Sequence, residues 1–237
     1  KSKSSVVVHV VTKKGRGYKY AENDKEGKWH GIAPFNVKDG TLKGVKNNRK
    51  VSWSKIVADH IETKMKDDED IVAITPAMIH GSAMDSLFTH YPKRCFDVGI
   101  AEEHAMTFTC GLSLAKKKPF ISVYSSFLQR AYDQLNHDIA RMDLSCLVSV
   151  DRCGFVGSDG PTHHGVFDIG FLNQLPNVII CSPNNSQNTK RFINTYLKNN
   201  DHPYILRIPR GEIEDQEIGK DETLPIGKWY IETANDH

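Results

Sequence analysis

Pro119-Phe120-Ile121-Ser122-Val123, a helix-spaced stretch from Phe127 to Met142, and Cys146-Leu147-Val148-Ser149-Val150 follow one another in the chain. The two short runs are apolar almost throughout, as strands covered on both faces are, while the stretch between them is long enough for a helix. The same alternation extends in both directions. Upstream, Ile71-Val72-Ala73-Ile74-Thr75 reads as a strand, Ser82 to His90 as a helix, Cys95 to Ile100 as a strand, and Glu102 to Lys116 as a helix with Ala105, Phe108, Thr109 and Leu112 on one side. Downstream, Asn177 to Cys181 reads as a strand, Ser186 to Lys198 as a helix and Tyr204 to Ile208 as a final strand. Before all of these, Ser52 is placed to cap a helix carrying Ile56, Val57 and Ile61. Strands alternating with helices imply an α/β fold, a doubly wound parallel sheet with helices on both faces.

Composition narrows the class. The 237 residues carry 31 Lys and Arg against 29 Asp and Glu, a net +2, so no strong field invites nucleic acid. No run approaches the length of a membrane span, and no charged-then-apolar leader suits export. Cys95, Cys110, Cys146, Cys153 and Cys181 are odd in number and widely spaced, without a C-x-x-C pair, which fits buried thiols in a reducing compartment. The opening run Val6-Val7-Val8-His9-Val10-Val11 reads as a strand ending a preceding domain. Residues 13–50, rich in Gly, Lys, Asn and Asp, read as a long connection, and 212–237 as a linker.

In doubly wound sheets, ligands bind beyond the carboxyl ends of the strands. That rule selects Glu102, the segment Tyr124 to Arg130, the loop Asp151 to His164, and Arg210. Glu102 and Glu103 at a strand-to-helix junction form either a capping pair or a carboxyl group directed into the crevice for proton exchange. Phe127 either packs or stacks on a heterocycle, with Arg130 one turn along to hold an anion. The loop 151–165 has four glycines, a proline, Arg152, Asp159, His163 and His164. It fits a bound ligand, a surface turn or, with Asp159, His163 and His164 as ligands, zinc; adjacent histidines seldom converge, which disfavours the metal. Lys13-Lys14-Gly15-Arg16-Gly17-Tyr18 is basic and glycine-rich but lacks the P-loop pattern, and no G-x-G-x-x-G is present. Arg207 and Arg210 end the last strand and suit a phosphate.

Taken in order, Thr12 to Tyr18, Gly99-Ile100-Ala101-Glu102, Tyr124-Ser125-Ser126-Phe127-Leu128-Gln129-Arg130-Ala131-Tyr132-Asp133-Gln134, Asp159-Gly160-Pro161-Thr162-His163 and Pro209-Arg210-Gly211 closely resemble the 1-deoxy-D-xylulose-5-phosphate synthase family of transketolase-like enzymes. The resemblance implies thiamine diphosphate and magnesium as cofactors. It also implies condensation of pyruvate with glyceraldehyde 3-phosphate, with loss of carbon dioxide, at the start of the methylerythritol phosphate route to isoprenoids. It implies that Glu102 hydrogen-bonds the cofactor's aminopyrimidine, that Phe127 stacks on that ring and that Tyr18 lines the cofactor site. His163 and His30 would act at the reacting atoms, and Tyr124, Arg130, Arg152, Asp159 and Arg210 would hold the substrates.

The family's Gly-Asp-Gly…Asn signature for magnesium and diphosphate does not occur in these residues. The resemblance therefore implies that residues 1–50 end a diphosphate-binding domain and connect it onward, that 51–211 are the pyrimidine-binding domain, and that 212–237 lead toward a further domain. No metal ligand is expected among the residues present. Partners implied are the N-terminal domain of the same enzyme and a second subunit in a homodimer. The family is cytoplasmic in bacteria and plastid-targeted in plants and apicomplexan parasites, and the Lys- and Asn-rich composition favours a parasite plastid. The rival readings are another transketolase-like thiamine enzyme and a non-catalytic sugar-phosphate-binding module.

Overall fold

The computed structural model describes residues 3–24, 29, 32, 34–43 and 50–228. The chain divides into two compact units, Lys1–Asn48 and Arg49–His237. In the first, a short helix α1 (Lys19–Glu22) follows the glycine turn. Glu22 accepts the Lys13 ammonium at 2.7 Å and the Gly17 N–H at 2.7 Å, so part of the basic turn is neutralised within its own unit. Tyr18, Tyr20, Trp29 and Phe35 form an aromatic cluster beside it, with Tyr18 and Trp29 edge to face at 4.9 Å. The run Val6–Val11 pairs with nothing among the described residues and its valines are exposed; the strand expected there would need a partner outside them. Valine-rich composition favours extended backbone, but a strand exists only against a partner.

The second unit holds two sheets. Strand β1 (Lys50–Ser52) pairs antiparallel with β8 (Glu212–Glu214), a ribbon too short to leave an alternating pattern in sequence. The main sheet has six parallel strands: β2 (Ile71–Thr75), β3 (Cys95–Asp97), β4 (Lys118–Tyr124), β5 (Cys146–Cys153), β6 (Ile179–Cys181) and β7 (Pro203–Pro209), in the order β3-β2-β4-β5-β7-β6. The helices are α2 (Trp53–Asp67), α3 (Asp85–His90), α4 (Glu102–Leu114), α5 (Ser125–Leu128), α6 (Tyr132–Gln134), α7 (Asp168–Leu172) and α8 (Ser186–Asn199). The order reverses between β2 and β4, the topological switch that a doubly wound sheet places at its ligand crevice.

Side chains alternate across the sheet, and both sets are buried. Val72, Ile74, Ile121, Val123, Val148, Val150 and Ile205 pack with α4 and the stretch from Leu128 to Ala140. Ile71, Ala73, Phe120, Leu147, Tyr204 and Leu206 pack with Val57, Ile61 and Met65 of α2 and Phe192, Ile193 and Tyr196 of α8. Ser52 caps α2, its Oγ accepting from Lys55 N at 3.2 Å.

The structure departs from the expected elements at several ends. β3 stops at Asp97, because the Asp97 carboxylate accepts N–H groups from Gly99 and Ala77 and turns the chain out of the sheet. The expected helix Phe127–Met142 is a broken rod: α5, a 3-10 turn, α6 and a π-helical stretch Leu135–Ala140. That irregularity keeps Leu128, Ala131, Leu135, Ile139 and Ala140 all in the core. Beyond β8, residues 215–224 lie bound along α8. Gln216 N donates to Ser186 Oγ at 3.0 Å, Lys190 reaches Asp215 at 2.7 Å, Arg191 reaches Glu222 at 2.7 Å, and Leu224 N donates to Thr195 Oγ1 at 2.9 Å.

Two consequences for stability follow from the α2–α8 side. Tyr196 is fully buried and its hydroxyl donates to the Pro119 carbonyl at 3.0 Å. Tyr196→Phe should lower unfolding free energy by roughly 1–2 kcal/mol, measured by urea denaturation, because the carbonyl loses its partner inside the core. His60 is held against Asn194 Oδ1 at 2.8 Å, and burial pushes its imidazole down from 6.5 to about 4. The unfolded chain therefore binds a proton between pH 6.5 and about 4 that the folded one refuses. Its contribution is complete above pH 6.5 and is lost as pH falls toward 4, by about 3 kcal/mol at most. His60→Gln should flatten that part of the stability curve relative to the parent protein.

Candidate active site

The carboxyl ends of β2, β3, β4, β5 and β7 carry the polar side chains that the buried sheet faces exclude. Glu102 is the first residue of α4 and is only 4% exposed. No side chain caps that helix, so the carboxylate lies at the positive end of the helix dipole. Arg130 Nη1 donates to Glu102 Oε1 at 2.9 Å; Oε2 has no side-chain partner among the described residues. Arg130 itself is 48% exposed and lies 5.3 Å above the Phe127 ring.

Phe127 is the centre of an aromatic group. Tyr124 stacks on it at 5.5 Å with 21° between planes, and His163 meets it edge-on at 5.5 Å. Ser125 and Ser126, the first two residues of α5, have buried hydroxyls that find no partner among the described residues. Burial raises the Tyr124 phenol despite the neighbouring Arg152, so the hydroxyl keeps its proton. Its position depends on Gly81: a Cβ there would stand 2.5 Å from the Tyr124 hydroxyl.

A second network extends from the end of β5. Asp151 is fully buried; Ser54 of α2 donates to its Oδ2, and Arg152 Nη1 reaches its Oδ1 at 3.0 Å. Burial raises the Asp151 carboxyl above its usual range against the pull of Arg152. Burial is the largest influence on the Arg152 guanidinium and works against its charge, but Asp151, Tyr124 and Asp159 together outweigh it and raise the group. Arg152 lies 4.6 Å over Tyr124, a cation–π contact, and its Nε donates to Asp159 Oδ2 at 3.1 Å. Asp159 Oδ1 takes Arg210 Nε at 2.7 Å, so one carboxylate bridges two guanidinium groups. The loop folds back at Gly165, which exchanges backbone hydrogen bonds with Gly154 at 2.7 and 2.9 Å. A Cβ on Gly165 would come within 2.4 Å of the Arg152 carbonyl.

The structure thus brings together Glu102, Tyr124, Phe127, Arg130 and His163 through direct contacts, and Tyr124, Arg152, Asp159 and Arg210 through others that share Tyr124. Tyr18 lies in the first unit, its hydroxyl donating to the Val37 carbonyl at 3.1 Å. His30 lies outside the described residues. The two adjacent histidines diverge: His163 faces Phe127, whereas His164 accepts the Val156 N–H at 3.1 Å and lies edge-on to Phe155. Asp151 and Gly165 fall inside the loop selected from the sequence but carried no role of their own there, and Ser54 and Gly81 were not singled out. Asp151 had the signal of an acid at the end of an apolar strand; Ser54 and the two glycines matter only through contacts far along the chain.

Residues 49–216 match the family described as transketolase, pyrimidine binding domain. The 1-deoxy-D-xylulose-5-phosphate synthase of Bacillus licheniformis is 45% identical over 232 residues, covering 98% of this chain and 36% of that protein. The enzyme of the same name from Listeria monocytogenes is 46% identical over 231 residues, covering 97% of this chain and 38% of its own length. The chain therefore spans little more than a third of these curated relatives. Among solved structures, a split gene transketolase described as an inactive beta4 tetramer superposes with a TM-score of 0.65 at 20% identity, over 75% of this chain and 57% of that one. A Pichia stipitis transketolase in complex with sedoheptulose 7-phosphate gives 0.64 at 15% identity, over 71% and 27%. At such identities these structures speak for the fold, and the fold agrees with the sequence match: the chain belongs to the transketolase pyrimidine-binding domain family.

Proposed function

We propose that the protein carrying this chain is a thiamine diphosphate-dependent transferase of the transketolase type. It would join pyruvate to glyceraldehyde 3-phosphate with release of carbon dioxide, giving 1-deoxy-D-xylulose 5-phosphate for isoprenoid and thiamine biosynthesis. One observation carries the reading: the buried Glu102 carboxylate, with one oxygen held by Arg130 and the other without a side-chain partner, beside the Phe127 ring. A carboxyl group with an oxygen to spare and an aromatic ring suit a flat, nitrogen-rich heterocycle. The names of the relatives at 45% and 46% identity support the choice of synthase over another thiamine enzyme or a non-catalytic sugar-phosphate module.

Within that reading the cofactor, when bound, would supply an acidic thiazolium carbon that acts as a nucleophile once deprotonated and a cationic ring that accepts the electron pair released as carbon dioxide leaves. Glu102 would hydrogen-bond the bound pyrimidine through its second oxygen, in a position buried enough for that bond to be strong. Arg130, which donates to Glu102 Oε1 and is half exposed, would be a further cation available to hold a substrate anion. His163, against Phe127, moves protons to and from substrate oxygens. Tyr124 donates its phenolic hydrogen toward the same space. Arg152 and Arg210 hold the phosphate or the carboxylate, which planar guanidinium groups do bidentately, and Asp159 sets the angle between them. The family resemblance alone proposes His30 as a further catalytic residue and Tyr18 as a further cofactor-binding one.

Magnesium and its diphosphate-binding ligands belong, in this proposal, to a domain ending within residues 1–50, and residues 212–237 lead from the pyrimidine-binding domain at 51–211 to another. A homodimer is the proposed assembly. Among the described residues no helix is long and apolar enough to cross a membrane. The two synthases at 45% and 46% identity are from bacteria, which supports the cytoplasm over a plant or parasite plastid as the compartment.

Two experiments on the full-length protein test the assignment. Glu102→Ala and Glu102→Gln should each lower turnover of pyruvate with glyceraldehyde 3-phosphate by about 10²–10⁴-fold with the fold retained, as loss of a positioned proton-transfer group does; more than a tenth of parental activity in either variant excludes the role. Arg152→Ala and Arg210→Ala should weaken substrate binding by roughly 1.5–3 kcal/mol each, the worth of a charge-assisted contact, with cofactor affinity unchanged in calorimetric titration. Unaltered binding of both substrates would make the arginine in question a structural residue.

A further inference from the structure

Behind the arginine-bearing loop lies a buried ion pair that the proposed reaction does not use. Asp168 opens α7 with its carboxylate fully buried, and Arg207 of β7 grips it with both prongs, Nε to Oδ2 at 2.7 Å and Nη2 to Oδ1 at 3.0 Å. Arg207 Nη1 donates onward to Ser182 Oγ at 2.9 Å. The same Asp168 Oδ2 lies 3.3 Å from the Cys153 thiol, which also contacts the Val150 carbonyl at 3.1 Å. Cys153 is the last residue of β5. Two charges taken out of water at the edge of a site are costly unless their arrangement serves something, and the strand they touch is irregular.

That irregularity is the place from which Arg152 projects. Val150 pairs with Arg207 and Cys153 with Pro209, so β5 spends one more residue than β7 between the same two points. A bulge of this kind re-aims side chains next to a site. Arg152 stands within it at φ +62°, a backbone region that residues with a Cβ adopt only when their surroundings impose it. Asp151 imposes it from one side, its Oδ1 accepting the Arg152 N–H at 2.7 Å. On the other side the strand is pinned by Cys153 to Asp168, and Asp168 is pinned by Arg207, the partner of Val150 across the bulge.

We infer that Asp168 and Arg207 are positioning residues that lock the β5 bulge, and through it hold the Arg152 guanidinium over Tyr124 and against Asp159, where it meets a phosphorylated substrate. The inference rests on the functional reading above for what Arg152 binds. It differs from a purely structural role in predicting damage to one ligand rather than to the whole protein.

The test uses the full-length protein with thiamine diphosphate and magnesium, comparing the parent with Asp168→Asn and with the double variant Asp168→Asn/Arg207→Met. The double variant removes both charges, so the fold is not left with a lone buried cation. Both should raise KM for glyceraldehyde 3-phosphate on the order of tenfold, with kcat and cofactor Kd within about twofold of the parent, since a displaced positioning group costs binding geometry first. The Kd for inorganic phosphate, read calorimetrically without turnover, should rise in parallel. A parent protein that binds phosphate but does not turn over these substrates defeats the functional reading alone, and the phosphate comparison then decides the inference. Unchanged KM and phosphate Kd in either folded variant overturns it. So does a common decline of kcat, KM and cofactor affinity, or failure of both variants to fold, because the pair would then serve the sheet and not the arginine.

Discussion

A parallel sheet with helices on both faces satisfies its backbone hydrogen bonds internally and leaves no polar face along its strands. In this protein the constraint is nearly complete: residues from Ile71 to Thr75, from Phe120 to Val123 and from Cys146 to Asp151 are buried on one side or the other. Charged groups are therefore driven to the strand ends, and the carboxyl ends of β4, β5 and β7 open side by side in the sheet order. Tyr124, Arg152 and Arg210 follow those three strands or end them. Their meeting around Asp159 is a product of strand order, which is why residues far apart in sequence make one network.

The legible part of the fold was the part written by burial. Ile71–Thr75 and the run from Pro119 to Val123 were recognisable because a strand covered on both faces must be apolar at every position, a pattern that outlasts changes in its neighbours. Ser52 was recognisable because a cap acts over three residues. The illegible part was set by tertiary contact. Nothing local to Val6–Val11 says whether a strand lies beside it, and the π-helical stretch at Leu135–Ala140 is stabilised by the core it fills. Five residues of α7 are too few for a period, and β1 and β8 exist as strands only for one another.

The site was legible unevenly for the same reason. Glu102, Phe127 and Asp159 stand just beyond strand ends, where position along the chain already implies position in the crevice. The pairing of Arg130 with Glu102 crosses from one βα connection to the next, and the support of Asp151 by Ser54 joins the first helix of the unit to its fourth sheet strand. Such contacts depend on which connections lie adjacent, a fact of topology that sequence spacing does not carry. Gly81 and Gly165 belong here as well, since each is needed only because a distant group fills the space of its missing side chain.

Under the proposed function, Asp159 gives the anion site an unusual starting point. Its two oxygens already occupy the guanidinium groups of Arg152 and Arg210, so an incoming anion does not meet bare positive charge. Association becomes an exchange in which one anionic partner replaces or joins another, and much of the attraction to the arginines is cancelled by what they release. The resident carboxylate thereby acts as a threshold: a weakly charged or poorly shaped anion gains too little to displace it, whereas a doubly charged group with several acceptor oxygens gains enough. Discrimination among anions in this crevice is then governed by how firmly Asp159 is held, and tightening or loosening that one side chain would retune selectivity without altering a single cationic residue.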